Sequence, residues 1–307
     1  PTSARREMIS VRTSGPLRSL LYVPGNSPSM VQNCMVLGAD AVILDLEDAV
    51  ALTEKDAARS LVRHALETLD FMGTTVFVRV NGADTPFFEE DIRAIVPARP
   101  DGIRLPKTDG ADDVLRADAL MTRIEREAGL PEGSVVIQAM VETARSLLHA
   151  YDVASASPRV SGISIGGQDF AADLGIRRTR DGGELLYARA AIVTAAKAAG
   201  VDAFDTVFTN VNDCDGLFAD AAAAANMGFS GKAAIHPSQV AVIHRAFRPE
   251  EKEVRKASRG VRAAREAEER GVGVIAVDGR MVDAPVVAQA RRTIELARIA
   301  GMEVPTE

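Results

Sequence analysis

Apolar and polar positions fall in alternating blocks along this chain. Short runs with many β-branched residues recur at SLLYV (19–23), AVILDL (41–46), TVFVRV (75–80), GIRLP (102–106), SVVIQAM (134–140), GISIG (162–166), DTVFT (205–209) and AAIH (233–236). Each leads into a longer segment with apolar residues at helical spacing and many Ala, Leu, Glu and Arg residues. Strands that are apolar at nearly every position are buried on both faces, as in parallel sheets covered by helices. Eight strand–helix units in succession predict an α/β protein with a closed (β/α)8 TIM barrel. A doubly wound open sheet is the alternative. Against it, the first strand runs into VPGNSPSM and not into a G-x-G-x-x-G turn.

The pattern changes after the eighth unit. A charged helix is predicted over roughly 249–270, followed by VGVIAVDGRMVDAP (272–285), where Asp278-Gly279 between two apolar runs marks a tight β-hairpin. A last helix runs to about residue 300. The predicted organisation is therefore a barrel over 1–247, with a short amino-terminal tail, and a carboxy-terminal helix, hairpin and lid extension over 248–307.

Composition narrows the function. The chain has 307 residues, 36 basic against 43 acidic, and a formal charge of −7, which disfavours nucleic acid or an anionic membrane as the main partner. No run approaches the ~18 apolar residues of a membrane span, and the amino terminus lacks an apolar signal core, so a cytoplasmic location is expected. Cys34 and Cys214 lie far apart with no C-x-x-C spacing, and predict neither a disulfide framework nor a zinc site.

Barrel enzymes build their sites at the carboxyl ends of the strands. Here those ends carry Asp45, Glu47 and Asp48 on strand two, Arg79 and Asn81 on three, Lys107 on four and Glu142 on five. They continue with Gln168 and Asp169 on six, Asn210 and Asn212 on seven, and His236 on eight. One polar strand end is commonly a cap for the next helix; acids, an Arg, a Lys and a His converging on one rim point to a site. Glu142 and Asp169, on adjacent strands, offer two oxygen ligands to a hard cation that keeps waters, as Mg2+ does. Arg79 rises from an apolar strand and needs a carboxylate, either a neighbouring acid or a substrate's.

At these residues the chain resembles the citrate lyase β-subunit-like family, with its malyl-CoA and citramalyl-CoA lyases, in the wider HpcH/HpaI aldolase group. The resemblance is carried by RSLLYVPGN (18–26), ADAVILDLEDAV (39–50), VRVNG (78–82), LPKT (105–108), ET (142–143), GGQDFAADLG (166–175), AIHPSQV (234–240) and DGRMVDAP (278–285). It implies a homotrimeric barrel that makes or breaks a carbon–carbon bond in a 2-hydroxy acyl thioester with Mg2+. It further implies that Glu142 and Asp169 hold the metal, that Arg79 clamps the keto-acid carboxylate, and that Asp283 is the acid–base residue of a lid over a neighbouring subunit's site. Gln168 departs from the many relatives that are acidic at that position.

The function so implied is Mg2+-dependent cleavage of malyl-, citramalyl- or citryl-CoA to acetyl-CoA and a 2-keto acid. Arg18, Lys107 or backbone amides are candidates for meeting the CoA moiety, and Glu47 and Asp48 for contacts to metal waters or to Lys and Arg neighbours. The alternatives are a malyl-CoA thioesterase, a citrate lyase β subunit that takes its substrate from an acyl carrier protein, and a non-catalytic structural subunit.

Overall fold

The structure is a computed structural model that describes residues 16–269, 275–277 and 280–305. Eight parallel strands close into one barrel in sequence order: β1 Ser19–Pro24, β2 Ala41–Asp45, β3 Thr75–Arg79, β4 Gly102–Leu105, β5 Val136–Val141, β6 Val160–Ile165, β7 Asp202–Asp205 and β8 Gly231–Ala234. Closure comes from β1 pairing with β8, Leu20 opposite Ala233. Helices between the strands include α1 Lys55–Thr68, α2 Ala111–Glu127, α3 Gly167–Asp173, α4 Leu186–Ala199 and α5 Cys214–Met227. The predicted barrel is thus the observed one.

Inward-facing residues form rows that follow the strand register. One row runs Tyr22, Ile43, Phe77, Gly102, Val136 from β1 to β5. With Leu20, Ala41 and Phe204 it supplies the apolar floor of the barrel. Two glycines make room for its rings. A Cβ on Gly102 would lie 2.7 Å from the Phe77 ring, and one on Gly162 the same distance from the ring of Phe204. Two residues further along the same strands the row is Pro24, Asp45, Arg79, Arg104, Gln138, so the interior turns from apolar to polar within one step of the pleat.

Two strand boundaries differ from the prediction. The seventh strand was expected at 205–209 and is Asp202–Asp205; the eighth was expected at 233–236 and is Gly231–Ala234. At the eighth a buried charge, Lys232, hides the start of the strand. Asp205 and Lys232 are fully buried between the sheet and its helices, where Arg189 donates to Asp205 at 2.8 and 2.5 Å and Lys232 Nζ lies 2.6 Å from both Asp205 and Asp220. Because these charges neutralise one another, the strand can hold them. As a result, Asn210 and Asn212 lie exposed in a loop after β7, and exposed His236 lies beyond β8 with its Nδ1 2.7 Å from Ser238 Oγ.

The chain divides into two compact units between His244 and Arg245. In the second, α6 Glu251–Glu269 packs on α7 Ala284–Ile299 through Ala257, Val261 and Ile294. Strands β9 Ile275–Val277 and β10 Arg280–Val282 pair antiparallel, as the hairpin pattern predicted. Its Asp278-Gly279 tip lies outside the described residues. No helix among the described residues is long and apolar enough to cross a membrane.

The glycine rows make a direct prediction. Gly102→Ala is expected to lower stability by about 1–3 kcal/mol through overpacking against Phe77. Thermal unfolding of Gly102→Ala and of the double variant with Phe77→Leu checks this, with the smaller side chain recovering part of the loss.

Candidate active site

The carboxyl end of β2 is organised by one carboxylate. Asp45, 1% exposed, accepts from Arg79 Nε at 2.7 Å and Nη2 at 2.5 Å, and from the backbone N–H groups of Glu47 at 2.9 Å and Ala49 at 3.2 Å. This arrangement folds the chain sharply after the strand and brings Glu47 back to Arg79. Arg79 Nη1 lies 2.8 Å from Glu47 Oε2, at an angle that leaves that oxygen without a hydrogen bond. Lys55 Nζ ties down the same turn by donating to the carbonyls of Leu46 and Glu47, each at 2.7 Å. Burial raises the Glu47 pKa, against the charges of Arg79 and Lys107 that lower it.

Lys107 extends the network to the next strand. Its Nζ lies 2.5 Å from Glu47 Oε1 and 3.6 Å from Asp48, and Asp48 stands 3.7 Å from Arg79. The expected contacts of Glu47 and Asp48 with Lys and Arg neighbours are therefore present. The backbone of Lys107 is left-handed, φ 49°, a conformation that costs a non-glycine residue roughly 1–2 kcal/mol. In that conformation its N–H donates to Glu142 Oε2 at 2.7 Å.

Glu142 follows β5 at the start of a capping box. Ser146 Oγ accepts from the N–H groups of Glu142 and Thr143, while Thr143 Oγ1 accepts from Ser146 N–H. These bonds hold the backbone at Glu142 and aim the side chain inward, where it is 2% exposed. Gly166 lies against it, since a Cβ there would be 2.3 Å from Glu142 Oε1. Asp169, half-buried in the first turn of α3, accepts no hydrogen bond among the described residues. Burial first, and then the charges of Asp169 and Glu47, push the Glu142 pKa up to about 7.

The carboxylates of Glu142 and Asp169, near enough for the charge of Asp169 to act on Glu142, suit a divalent cation. Among the described residues no group of three His, Cys, Asp or Glu side chains gathers into a metal site. A cation held here would complete its shell with waters or ligand oxygens, which fits Mg2+ and not a transition metal.

Three expected residues lie elsewhere or stand apart. Arg18, a candidate for the CoA moiety, precedes β1 at the amino end of the barrel, opposite the site. It is held there by Asp40, which accepts from its Nε and Nη2 at 2.8 Å each. That placement corrects the expectation, because a strand fixes which end its flanking residues occupy. Gln168 is exposed. Asp283 belongs to the second unit, where it caps α7 by accepting from Val286 N–H at 3.2 Å. Conversely, Tyr22, Arg104 and Gln138 were not singled out from the sequence. The Tyr22 ring lies 4.8 Å from the Arg79 guanidinium and 5.6 Å from that of Arg104. The signal that drew attention to Arg79, a lone cation in an apolar strand, was equally present in Arg104.

A closed parallel barrel with Asp45, Glu47, Arg79, Lys107, Glu142 and Asp169 gathered at the carboxyl ends of its strands has the site of a barrel enzyme. The chain belongs to the HpcH/HpaI aldolase/citrate lyase family, whose profile matches residues 18–237. It is 44% identical over 280 residues to the citrate lyase subunit beta of Leuconostoc mesenteroides subsp. cremoris, covering 91% of this chain and 93% of that one. It is 38% identical over 282 residues to a (3S)-malyl-CoA thioesterase of Cereibacter sphaeroides, covering 92% and 95%. The structure of CitE from Mycobacterium tuberculosis in complex with magnesium, acetoacetate and coenzyme A superposes with a TM-score of 0.78 at 33% identity, covering 95% of this chain and all of that one.

Asp45→Ala should destabilise the protein by about 3 kcal/mol, since it removes both hydrogen bonds to a buried guanidinium and leaves Arg79 only its ion pairs with Glu47 and Asp48. Urea unfolding measures this, and a loss below about 1 kcal/mol would show that Arg79 finds other partners.

Proposed function

We propose that this chain is a Mg2+-dependent carbon–carbon lyase that reversibly cleaves malyl-, citramalyl- or citryl-CoA, a 2-hydroxy acyl thioester, to acetyl-CoA and a 2-keto acid. The observation that carries the reading is the buried Glu142 carboxyl beside Asp169, in a family whose M. tuberculosis member binds magnesium, acetoacetate and coenzyme A together. Glu142 and Asp169 would hold the cation. When bound, Mg2+ supplies Lewis acidity at the substrate's hydroxyl or keto oxygen and its carboxylate.

The remaining roles belong to the protein's own groups. Arg79, already oriented by Asp45, takes the keto-acid carboxylate at its Nη1 corner, next to Glu47. Lys107, whose side chain is 47% exposed, stands at the rim where it meets the thioester's carrier. In cleavage a base takes the hydroxyl proton, the O–H pair becomes the keto C=O, the bond between the carbinol carbon and the acetyl α-carbon breaks, and its electron pair passes to the thioester as an enolate. Asp283 then protonates that carbon, and in condensation removes the same proton. A homotrimer, in which Asp283 serves a neighbouring subunit's site, belongs to the same reading. So does an acyl carrier protein as an alternative thioester carrier, in keeping with the likeness to citrate lyase β subunits.

A second reading has support from the likeness to the C. sphaeroides thioesterase: water attacks the malyl thioester carbonyl, releasing CoA and malate. Product analysis separates the two, since lyase chemistry yields acetyl-CoA with a keto acid and thioesterase chemistry yields neither.

EDTA should abolish turnover of the three thioesters, and Glu142→Ala should depress it by on the order of 100-fold or more while weakening Mg2+ binding in calorimetry. Full activity in either case would remove the metal from the mechanism. Asp283→Asn keeps a good helix cap and so should preserve stability, yet it is expected to slow turnover about 100-fold. Unchanged turnover would take Asp283 out of the chemistry.

A further inference from the structure

Glu142 and Asp169 stand on separate elements, and the sheet does not fix their spacing. Glu142 leaves β5 through the capping box, while Asp169 sits in the first turn of α3, a helix of seven residues. A helix that short does not hold its shape or its place by itself. Like charges also push it away from the turn after β5, since the charge of Asp169 acts on Glu142. Contacts outside the helix must therefore hold it there.

A bond at each end ties α3 to a neighbouring turn. At its first residue the Gly167 N–H, a helix-start donor with no acceptor inside the helix, donates to Thr206 Oγ1 at 3.0 Å. The approach is close: a Cβ on Gly167 would lie 2.8 Å from Thr206 Oγ1 and 2.8 Å from Leu185. Thr206 follows β7 and is buried, and its carbonyl accepts from Lys232 Nζ at 2.8 Å. Its hydroxyl is thus mounted on the buried cluster of Arg189, Asp205, Asp220 and Lys232. At the last residue of α3, exposed Asp173 accepts from the Ala144 N–H at 2.8 Å through Oδ2. Ala144 opens the short helix after β5, two residues beyond Glu142.

Resting on the reading of Glu142 and Asp169 as the carboxylates that would hold the metal, we infer that Thr206 and Asp173 are positioning residues that set the separation of that pair. Thr206 acts through Gly167, two residues before Asp169, and Asp173 acts through Ala144. Losing either bond frees one end of α3 to move away from the β5 turn. The cation's hold then weakens although both carboxylates are still present.

Calorimetric titration of the full chain with magnesium chloride alone tests this. Thr206→Val keeps the shape of the side chain and removes its acceptor, and Asp173→Ala removes the other; each should weaken Mg2+ binding about tenfold, as lost support around a metal site does. Thr206→Ser and Asp173→Asn keep an acceptor oxygen and should bind Mg2+ within about threefold of the wild type. Thermal unfolding without metal separates positioning from stability: a lower Tm with unchanged Mg2+ affinity in Thr206→Val or in Asp173→Ala would make that bond structural and overturn the inference. Equal weakening by the conservative and the disruptive variants would overturn it as well. Glu142→Ala is the control. If the wild type bound Mg2+ no better than Glu142→Ala, the reading of the metal site itself would fall, and this inference with it. Circular dichroism identifies a variant that fails to fold; Asp173 is exposed, and its two variants then carry the test.

Discussion

The carboxylate of Asp45 is the interaction on which this site depends. It closes β2, accepts both hydrogen bonds of one edge of Arg79, and takes two backbone donors from the turn that follows. A charge buried at the end of a parallel strand is tolerable only if its surroundings satisfy it completely, and here satisfying it shapes the turn. Glu47 is carried back over Arg79, Lys107 is drawn to Glu47, and the Lys107 backbone delivers its N–H to Glu142. The rim is thus one connected network in which each side chain orients the next.

Below the rim, packing sets the depth of the chemistry. The apolar floor is filled by Phe77 and Phe204, whose rings occupy the space left by Gly102 and Gly162. The change to charged residues comes one pleat above these rings, on the row of Asp45, Arg79, Arg104 and Gln138. Side chains on that row are flanked by low-dielectric material, which strengthens every charge interaction made there and raises the cost of any left unmade.

Much of the architecture was legible as pattern. Strand–helix alternation gave the eightfold barrel, and the polar strand ends marked which face works; Glu47, Arg79, Lys107, Glu142 and Asp169 were all visible by that rule. Two of the misreadings share one cause: Lys232, paired with Asp205 behind β7 and β8, and Arg104 on β4 carry charge where a hydropathy pattern expects none. Partners more than ten residues away in sequence, such as Arg189 for Asp205, make that burial possible.

By itself, then, the sequence determined the sheet type, the order of strands and the end at which functional groups gather, because hydrophobic periodicity and strand direction are local properties. Only the tertiary structure decided which charges meet. It assigned Asp45 and Glu47 to Arg79, sent Arg18 to the opposite end with Asp40, and set Arg104 beside Gln138. Those pairings depend on strand register and barrel closure, which bring together residues that no spacing along the chain connects.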